Sequence, residues 1–187
     1  MIRIRKISAV ITDVAARTAN LDNTMAFKLT AITVLLIFSS VLADQQEEDA
    51  INAVLDDFHS AAASADEERY LNHLTEDAVF MGTDEWERWP KNPDFRAYVN
   101  RRFENGVGWN YESIERKIRI SQTGNVAWFD EVVFSATNGR FRGTGVLVKI
   151  DDMWKINHYA LSFLILNENW QEIVELTKKT RQASTQN

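Results

Sequence analysis

The strongest constraint on the fold is a run of four β-rich segments in the second half of the chain. They are residues 110–121, 126–136, 140–150 and 154–165, and short stretches of turn-forming residues separate them. Between the second and third segments, Asn138-Gly139 predicts a tight hairpin, because both residues tolerate the positive φ of a type I′ turn. We therefore expect four consecutive antiparallel strands.

Charged residues indicate how the first two of these strands pair. A four-residue loop at 122–125 places Arg116 opposite Glu131 and Lys117 opposite Asp130. Opposite charges directly across a strand pair are favourable, whereas like charges there are destabilising. Arg116 and Glu131 are therefore expected to share one face of the sheet, which we call the inner face.

The remaining turns decide which residues lie beside Glu131. If Asn138-Gly139 is the loop, Glu131 faces Val146, and a three-residue loop at 151–153 places Val146 opposite His158. A two-residue loop at that turn would send the apolar residues of the two strands to opposite faces, so we expect the longer loop. The inner face then has an apolar end and a polar end, which is typical of a core that opens into a pocket. The other polar residues expected at the polar end are Arg142, Thr144 and Ser162.

Composition suits one globular domain with extensions and excludes several functions. The chain has 187 residues, a formal net charge of −6 and no cysteine. An acidic chain lacks the basic surface that nucleic-acid binding needs. Without cysteine there is no disulfide framework and no thiolate chemistry. The sequence contains no motif for phosphate binding, for a nucleophilic serine or for zinc, so no cofactor and no metal are expected.

Residues 1–43 are predicted to be an N-terminal extension and a secretory signal peptide. Lys28 supplies a short basic region, residues 29–42 are uncharged and mostly apolar, and Ala43 ends a small-residue exit. We expect cleavage near Ala43 and a secreted or periplasmic mature protein. The apolar run is short for a membrane span of about 20 residues, although an uncleaved N-terminal anchor stays open as the alternative. Two start positions fit this pattern, Met1 and Met25.

Helical spacing of apolar residues predicts three helices before the four-stranded segment. The first spans residues 49–65, a short second helix ends near His73, and the third spans residues 92–106. His59 and His73 are interpreted as ordinary surface or helix-end histidines, because nothing in the sequence places a ligand cluster around either. Residues 169–187 are predicted to be a short C-terminal helix and a disordered tail.

The loop between the first short strand and the third helix is rich in tryptophan. Residues 78–81 are predicted to be a strand, and a charged loop that contains Trp86 and Trp89 follows them. Solvated loops seldom carry two tryptophans without burying them. The loop is therefore either a flap over the polar end of the sheet or a plug for a small core, and Tyr98 of the third helix is a candidate ligand contact.

Four short stretches of sequence, together with this order of helices and strands, resemble a known family. They are FMGTDEWERW at 80–89, VAW at 126–128, RGTG at 142–145 and WKINHY at 154–159. Together they resemble the SnoaL-like branch of the NTF2-like superfamily, over about residues 47–167. The resemblance implies that residues 44–168 form an α+β cone, in which helices pack on the concave face of a curved antiparallel sheet. It also implies a pocket in the cone, dimers and no metal.

Relatives in this superfamily include polyketide cyclases, ketosteroid isomerases and dehydratases, along with members that only bind or scaffold. The acid–base carboxylates of those enzymes lie at differing positions, so the resemblance transfers none of them to this chain. The candidate residues must therefore come from the predicted sheet itself.

Glu131 and His158 are the candidate acid–base pair. With Val146 between them, their Cα atoms would lie about 10 Å apart, since neighbouring strands are about 4.8 Å apart. A carboxylate and an imidazole on either side of a small ligand can move a proton, as isomerisation or dehydration requires. The alternative is a structural Arg116–Glu131 ion pair, in which Arg116 lowers the pKa of Glu131 and makes it a weak base.

Two functions are consistent with this pocket. The first is a secreted module that binds a small, partly apolar molecule in the cone. The second is a cofactor-independent lyase or isomerase that uses Glu131 and His158. The expected ligand contacts are Arg116, Arg142, Thr144, Ser162, Trp86, Trp89 and Tyr98.

The same register predicts an apolar outer face of the sheet. A patch of six large apolar side chains exceeds the few hundred Å² that monomers usually expose. We therefore expect a homodimer that packs sheet to sheet through this face, with the C-terminal helix as the competing cover. The residues assigned to the interface are Val132, Phe134, Phe141, Tyr159, Leu161 and Phe163.

Overall fold

The chain divides into two compact units, Met1–Ile51 and Asn52–Asn187. The computed structural model describes residues 23–184, and helix α1 (Asn23–Ala63) begins in the first unit and ends in the second. The predictions for residues 1–22 lie outside the described residues, as do most side chains of the predicted apolar run at 29–42. Among the described residues, no helix has the length and apolar character that crossing a membrane requires.

The second unit is an α+β domain with one six-stranded sheet. After α1 it contains α2 (Glu67–Asn72), β1 (Leu74–Met81), β2 (Arg88–Pro90), a π-helical segment (Lys91–Phe95), α3 (Arg96–Phe103), β3 (Glu112–Ile120), β4 (Val126–Ser135), β5 (Gly139–Ile150), β6 (Met153–Phe163), a 3₁₀ segment (Asn167–Asn169) and α4 (Trp170–Ser184). The strand order is β2-β1-β6-β5-β4-β3. The predicted meander from β3 to β6 is confirmed, and β1 adds a parallel neighbour to β6. Helix α4 continues to Ser184, beyond the short helix that the sequence predicted.

The predicted register between β3 and β4 is confirmed. Arg116 lies opposite Glu131, and Lys117 lies opposite Asp130. A bulge between Ser113 and Glu115 then changes which residues of β3 face inward. This bulge brings the Ser113 hydroxyl within 3.0 Å of a Glu131 carboxylate oxygen.

The predicted turn between β4 and β5 is wrong: the loop has three residues instead of two, and the register of β5 against β4 is shifted by three residues. Ser135 pairs with Gly139, so residues 136–138 form the loop. A type I′ turn needs positive φ at both central residues, but Gly139 alone of the predicted pair has it, at 87°. Glu131 therefore lies opposite Gly143 rather than Val146.

The predicted turn between β5 and β6 is also wrong. Asp151 and Asp152 have φ of 48° and 61°, and they form a two-residue loop between the paired residues Ile150 and Met153. Positive φ at both central positions is the geometry of a type I′ turn, which asparagine, aspartate and glycine favour. A two-residue loop was not expected, because it would send the apolar residues of the two strands to opposite faces. A bulge at Asn157, between two paired segments of β6, removes this conflict.

These two corrections reverse the facing of β5 and of the second half of β6. A slip of one residue moves every side chain of a strand to the other face. The buried residues of the inner face on these strands are Phe141, Gly143, Gly145, Leu147, Trp154, Ile156, Tyr159 and Leu161. Val146 does lie opposite His158, as predicted, but the pair is on the outer face. Three of the six residues assigned to the dimer interface, Phe141, Tyr159 and Leu161, are therefore buried on the inner face.

Two glycines of β5 let aromatic side chains cross the inner face. A Cβ atom at Gly143 would lie 2.4 Å from the Tyr159 hydroxyl, and one at Gly145 would lie 2.6 Å from the Phe129 ring. Both distances are shorter than real Cβ contacts, so only glycine fits without a shift. The aromatic rings of Tyr159 and Phe129 therefore close over bare backbone on the inner face.

Helices α1 to α3 supply the aromatic and small residues that cover the inner face. Phe58 of α1 stacks on Tyr70 of α2 at 4.3 Å and lies 5.5 Å from the Tyr159 ring. Gly108 allows the segment before β3 to approach the end of α1, because a Cβ there would lie 2.1 Å from the Ala62 carbonyl oxygen. This approach is completed by a 2.9 Å hydrogen bond from the Trp109 amide to the same oxygen.

Candidate functional site

A cavity of about 110 Å³ lies between the helices and the inner face of the sheet. It is mostly aromatic, and its polar groups are few: one imidazole, four tyrosine hydroxyls, Thr83 and Glu87. This combination of an apolar wall with a few convergent polar groups is typical of a small-molecule site. The lining residues are Phe58, His59, Ala62, Tyr70, Phe80, Gly82, Thr83, Glu87, Trp89, Tyr98, Trp109, Tyr111, Tyr159 and Leu161.

Ring stacking holds the cavity wall together. Trp89 of β2 stacks on Tyr98 of α3 with ring centroids 4.5 Å apart, and Tyr98 stacks on Trp109 at 5.7 Å. At the other side, Phe80 of β1 lies parallel to Tyr159 at 5.5 Å. Each such pair stabilises the domain by about 0.5–1.5 kcal/mol beyond its area burial. The wall is therefore preformed.

Glu131 lies beneath the cavity and accepts hydrogen bonds on both carboxylate oxygens. Oε1 accepts from the Tyr159 hydroxyl at 2.9 Å and is 2.8 Å from His59 Nε2. Oε2 accepts from the Ser113 hydroxyl at 3.0 Å and from Arg116 Nε at 3.0 Å. Arg116 Nη2 also lies 2.9 Å from Oε2, an ion-pair distance without hydrogen-bond geometry. The carboxylate side chain has no exposed surface.

The surroundings of Glu131 keep it ionised. Burial raises its pKa, but the hydrogen bond and charge of His59, the charge of Arg116 and the Tyr159 hydroxyl outweigh burial and hold the pKa at about 2. Burial, together with the charge of Glu131, raises the pKa of Tyr159 well above its usual value, so this phenol stays protonated and donates. Glu131 is therefore a weak base whose acceptor positions are occupied.

Arg116 links this buried cluster to the surface. Its Nη1 donates to Asp56 at 2.7 Å and to the Asn52 side chain at 3.1 Å, both from α1. Arg116 is 8% exposed and Asp56 is 67% exposed. The guanidinium thus compensates the charge of Glu131 where water is excluded, which a buried carboxylate requires.

The imidazole that lines the cavity belongs to His59. Its side chain is 8% exposed, and Nε2 is bonded to Glu131. Within the described part of the chain, no hydrogen-bond partner is found for its other ring nitrogen, Nδ1. A histidine that one nitrogen anchors to a carboxylate has a fixed ring orientation, which leaves the second nitrogen for a ligand.

Four of the predicted site residues lie at or beside this cavity. Glu131 and Arg116 are together on the inner face as predicted, and Trp89 and Tyr98 line the cavity. Trp86 packs edge-on against Trp89 at 5.7 Å but is 66% exposed and is not part of the lining. The tryptophan-rich loop therefore contributes one wall of the cavity.

The other four predicted site residues do not reach the cavity. His158, Arg142, Thr144 and Ser162 lie on the outer face, because the two turns and the bulge of β6 differ from the predicted ones. The predicted pair of Glu131 and His158 is therefore separated by the sheet. This placement removes His158 as the partner of Glu131 in acid–base chemistry.

Sequence reasoning missed His59, Tyr70, Trp109, Tyr111 and the inward Tyr159. For His59 a signal was present, since it lies four residues after Leu55 and three before Ala62 on the apolar stripe of α1. A histidine on a buried stripe must find a polar partner. The interpretation of His59 as an ordinary surface or helix-end histidine is therefore wrong, since His59 is buried and bonded to Glu131.

A second polar cluster lies outside the cavity, beside an open depression of about 350 Å³. Asp57 accepts from Arg69 Nε at 3.0 Å and lies 2.7 Å from His73 Nε2. The hydrogen bond from Arg69, opposed by burial and aided by His73, lowers the pKa of Asp57 to about 2. These groups are paired with one another. Among the described residues, no group of three or more histidine and carboxylate side chains is arranged to hold a metal ion.

Comparison with known families decides the classification of the domain. The family model described as SnoaL-like domain matches residues 51–166. The chain belongs to this family. The match spans the strands and helices that form the cavity, and it confirms the resemblance to the SnoaL-like branch.

Solved structures agree on the fold. An NTF2-like protein of unknown function from Pseudomonas putida KT2440 is 13% identical with a TM-score of 0.56, over 67% of this chain and 92% of that one. A domain of unknown function with a cystatin-like fold from Nostoc punctiforme PCC 73102 is 18% identical with a TM-score of 0.59, over 75% and 93%. A ketosteroid isomerase-like protein from Parabacteroides distasonis ATCC 8503 is 17% identical with a TM-score of 0.50, over 61% and 85%. Among curated protein sequences, none matches this chain.

Proposed function

We propose that this SnoaL-like domain binds a small, ring-containing and largely apolar molecule in its aromatic cavity. The observation that carries the proposal is the preformed wall of stacked rings, in which Trp89, Tyr98 and Trp109 follow one another at 4.5 and 5.7 Å. Flat rings stack on such a wall without loss of side-chain freedom on binding. A cavity of about 110 Å³ suits one ring with a substituent rather than a large ligand.

A pair of tryptophans in one loop gives a matched test of this proposal. Ethylbenzene is a suitable probe, titrated by calorimetry or followed by tryptophan fluorescence. Trp89→Ala removes part of the cavity wall and should weaken binding about tenfold or more, since a buried aromatic contact is worth about 1–3 kcal/mol. Trp86→Ala removes an exposed tryptophan outside the lining and should leave binding unchanged. Equal losses for the two variants, or no saturable binding to the wild type, would contradict the proposal.

A second candidate function is proton transfer on the bound molecule, with His59 as the base. The observation that favours it is the fully buried Glu131 that orients His59 toward a cavity. A protein with a buried ion pair is often less stable than one with apolar residues at the same positions. An ion pair that is present beside a cavity therefore favours a functional role. In this proposal Glu131 is a positioning residue and His59 replaces the predicted Glu131–His158 pair. Isomerisation or elimination without a cofactor is the matching reaction class.

Exchange of carbon-bound protons tests this second candidate. Acetophenone in D₂O loses its methyl protons to deuterium when a base removes a proton from the carbon beside the carbonyl and a deuteron returns from solvent. Wild-type protein should accelerate this exchange, and His59→Gln should abolish the acceleration. Glu131→Gln should lower it while retaining acetophenone binding, because the imidazole is still present but less firmly held. Exchange at the same rate with and without protein would leave binding as the function and refute catalysis by His59.

A further inference from the structure

Helix α4 is amphipathic but is not packed into the domain. Trp170, Ile173 and Val174 recur at helical spacing on one side of it. None of the described residues of α4 is buried, and Trp170 is 58% and Ile173 37% exposed. A surface helix normally buries its apolar side against the domain. The structure therefore leaves the apolar side of α4 uncovered.

One ion pair shows which side of α4 faces the rest of the domain. Arg181 Nη2 pairs with Glu85 Oε2, in the loop between β1 and β2. Arg181 follows Trp170 and Val174 at intervals close to whole helical turns, so these three residues share one side of the helix. Val174 is half-buried, while the other residues of α4 are exposed. The apolar side of α4 therefore faces the loop that contains Glu85.

The cavity opens beside the same loop. Gly82, Thr83 and Glu87 of this loop line the cavity; of all the lining residues, Thr83 is exposed and the others are buried or half-buried. Because β1 and β6 are parallel, with Met81 paired to Ala160, the loop after β1 and the segment after β6 leave the same end of the sheet. Helix α4 follows that segment. It is therefore attached beside the opening at both ends, by the chain at one end and by its ion pair at the other.

The rim of the opening offers an apolar surface to the helix. Phe163, the last residue of β6, is 51% exposed. Its ring packs on Phe141 with centroids 4.4 Å apart, and Phe141 packs on Tyr111 of the cavity lining at 5.3 Å. A line of aromatic rings thus runs from the cavity to the residues before α4. Contact between this rim and the apolar side of α4 would remove both from water, which favours closure.

We propose that α4 is a lid that closes its apolar side over the opening beside Thr83 when the cavity holds a ligand, with the Arg181–Glu85 pair as its latch. This inference rests on the proposed binding function and adds control of access to it. Exposed ion pairs are weak, so the latch breaks and forms again as a ligand enters or leaves. Helical and loop lids of this kind move on microsecond to millisecond timescales.

The rates of ligand exchange test the latch, because a lid delays entry and exit alike and changes the affinity less. Ethylbenzene is the probe, and line-shape analysis of an NMR titration of the full chain gives both rates. Glu85→Arg places like charges at the latch and should raise both rates about two- to fivefold, the range expected for an exposed ion pair. Adding Arg181→Glu restores opposite charges and should return both rates toward those of the wild type. Glu175→Arg makes the same change of charge on the polar side of α4 and should leave the rates unchanged.

Trypsin cleavage tests closure by a second measurement. Lys178 and Lys179 lie in α4 and are exposed. If the lid closes on the ligand, saturating ethylbenzene should slow cleavage at these two residues in the wild type. The protection should be smaller in Glu85→Arg, because the far end of the helix is no longer latched.

The outcomes separate the lid from the function on which it rests. If Glu85→Arg exchanges ethylbenzene at the rates of the wild type, or if Glu175→Arg raises the rates equally, the latch is refuted while the aromatic binding site stands. Cleavage in α4 that ethylbenzene does not slow refutes closure in the same way. If ethylbenzene does not bind to the wild type, the binding function fails and the lid fails with it.

Discussion

Replacing Glu131 by Gln tests whether the buried carboxylate organises the floor of the cavity. The amide has nearly the same shape as the carboxylate but carries no charge and only one acceptor oxygen. In the wild type, Oε1 and Oε2 each receive donors, from Tyr159 and His59 on one side and from Ser113 and Arg116 on the other. Whichever way the amide turns, its NH₂ group faces donors, and the buried guanidinium loses its inner counter-charge.

Two independent arguments give the size of the effect. Removing one partner of a buried ion pair destabilises a protein by about 3–5 kcal/mol. The surroundings lower the pKa of Glu131 from its ordinary 4.5 to about 2, which corresponds to about 3.5 kcal/mol, since one pKa unit is worth about 1.4 kcal/mol. We expect the free energy of unfolding of Glu131→Gln to be about 3.5 kcal/mol lower than that of the wild type at pH 7.

The pH dependence gives the sharper assay. Because the pKa of Glu131 is lower in the folded state, the unfolded state binds the proton first as the pH falls. The stabilisation is therefore complete above about pH 4.5 and is lost as the pH falls to about 2. Urea unfolding between pH 7 and pH 2 should show the difference between wild type and variant shrinking over this window. Asp130→Asn, at the exposed neighbouring position, is the control and should change little. A constant difference at every pH, or a difference below about 1 kcal/mol at pH 7, would refute the reasoning.

Three further predictions concern the sheet and the N-terminus. Gly143→Ala should lower the free energy of unfolding by about 1–3 kcal/mol, because its Cβ would meet the Tyr159 hydroxyl at 2.4 Å. The control, Thr144→Ala on the outer face, should have less effect, and equal losses of the two variants in urea unfolding would contradict this. If the proposed homodimer uses the outer face, sedimentation over a dilution series should show dimers that Val132→Arg converts to monomers, and a wild type that is monomeric at micromolar concentration refutes it. If the protein is exported by a cleaved signal peptide, N-terminal sequencing of the mature form should begin at Asp44, and a mature form that begins at Met1 or Met25 would falsify cleavage.

The elements of the sheet could be predicted because their signals are local. Apolar alternation and turn residues identified β3 to β6, and two opposite-charge pairs fixed β3 against β4, where Arg116 and Glu131 do meet. Charge pairing is informative because a slip of one residue in either direction would leave one opposite-charge pair instead of two. The inward position of Glu131 followed from that pairing alone.

The facing of β5 and β6 could not be predicted in the same way. Asn138-Gly139 is the stronger sequence signal for a type I′ turn, yet the chain forms its two-residue loop at Asp151-Asp152. The choice of loop also depends on tertiary packing, since the actual facing places Tyr159 and Phe129 over the bare backbone of glycines in β5. The bulge at Asn157 then restores Tyr159 to the inner face, and no local pattern indicates where a bulge occurs.

The charge balance around Glu131 decides how His59 is held. A buried carboxylate is unfavourable unless positive charge and hydrogen bonds compensate it where water is excluded. Arg116 supplies a permanent positive charge 2.9 Å from Glu131, and Asp56 shares that guanidinium at the surface. Arg116 and Ser113 occupy Oε2, so Oε1 is left to hold Nε2 of His59 and the Tyr159 hydroxyl. Arg116, which makes Glu131 a weak base, thus also leaves Glu131 free to fix the orientation of the His59 ring.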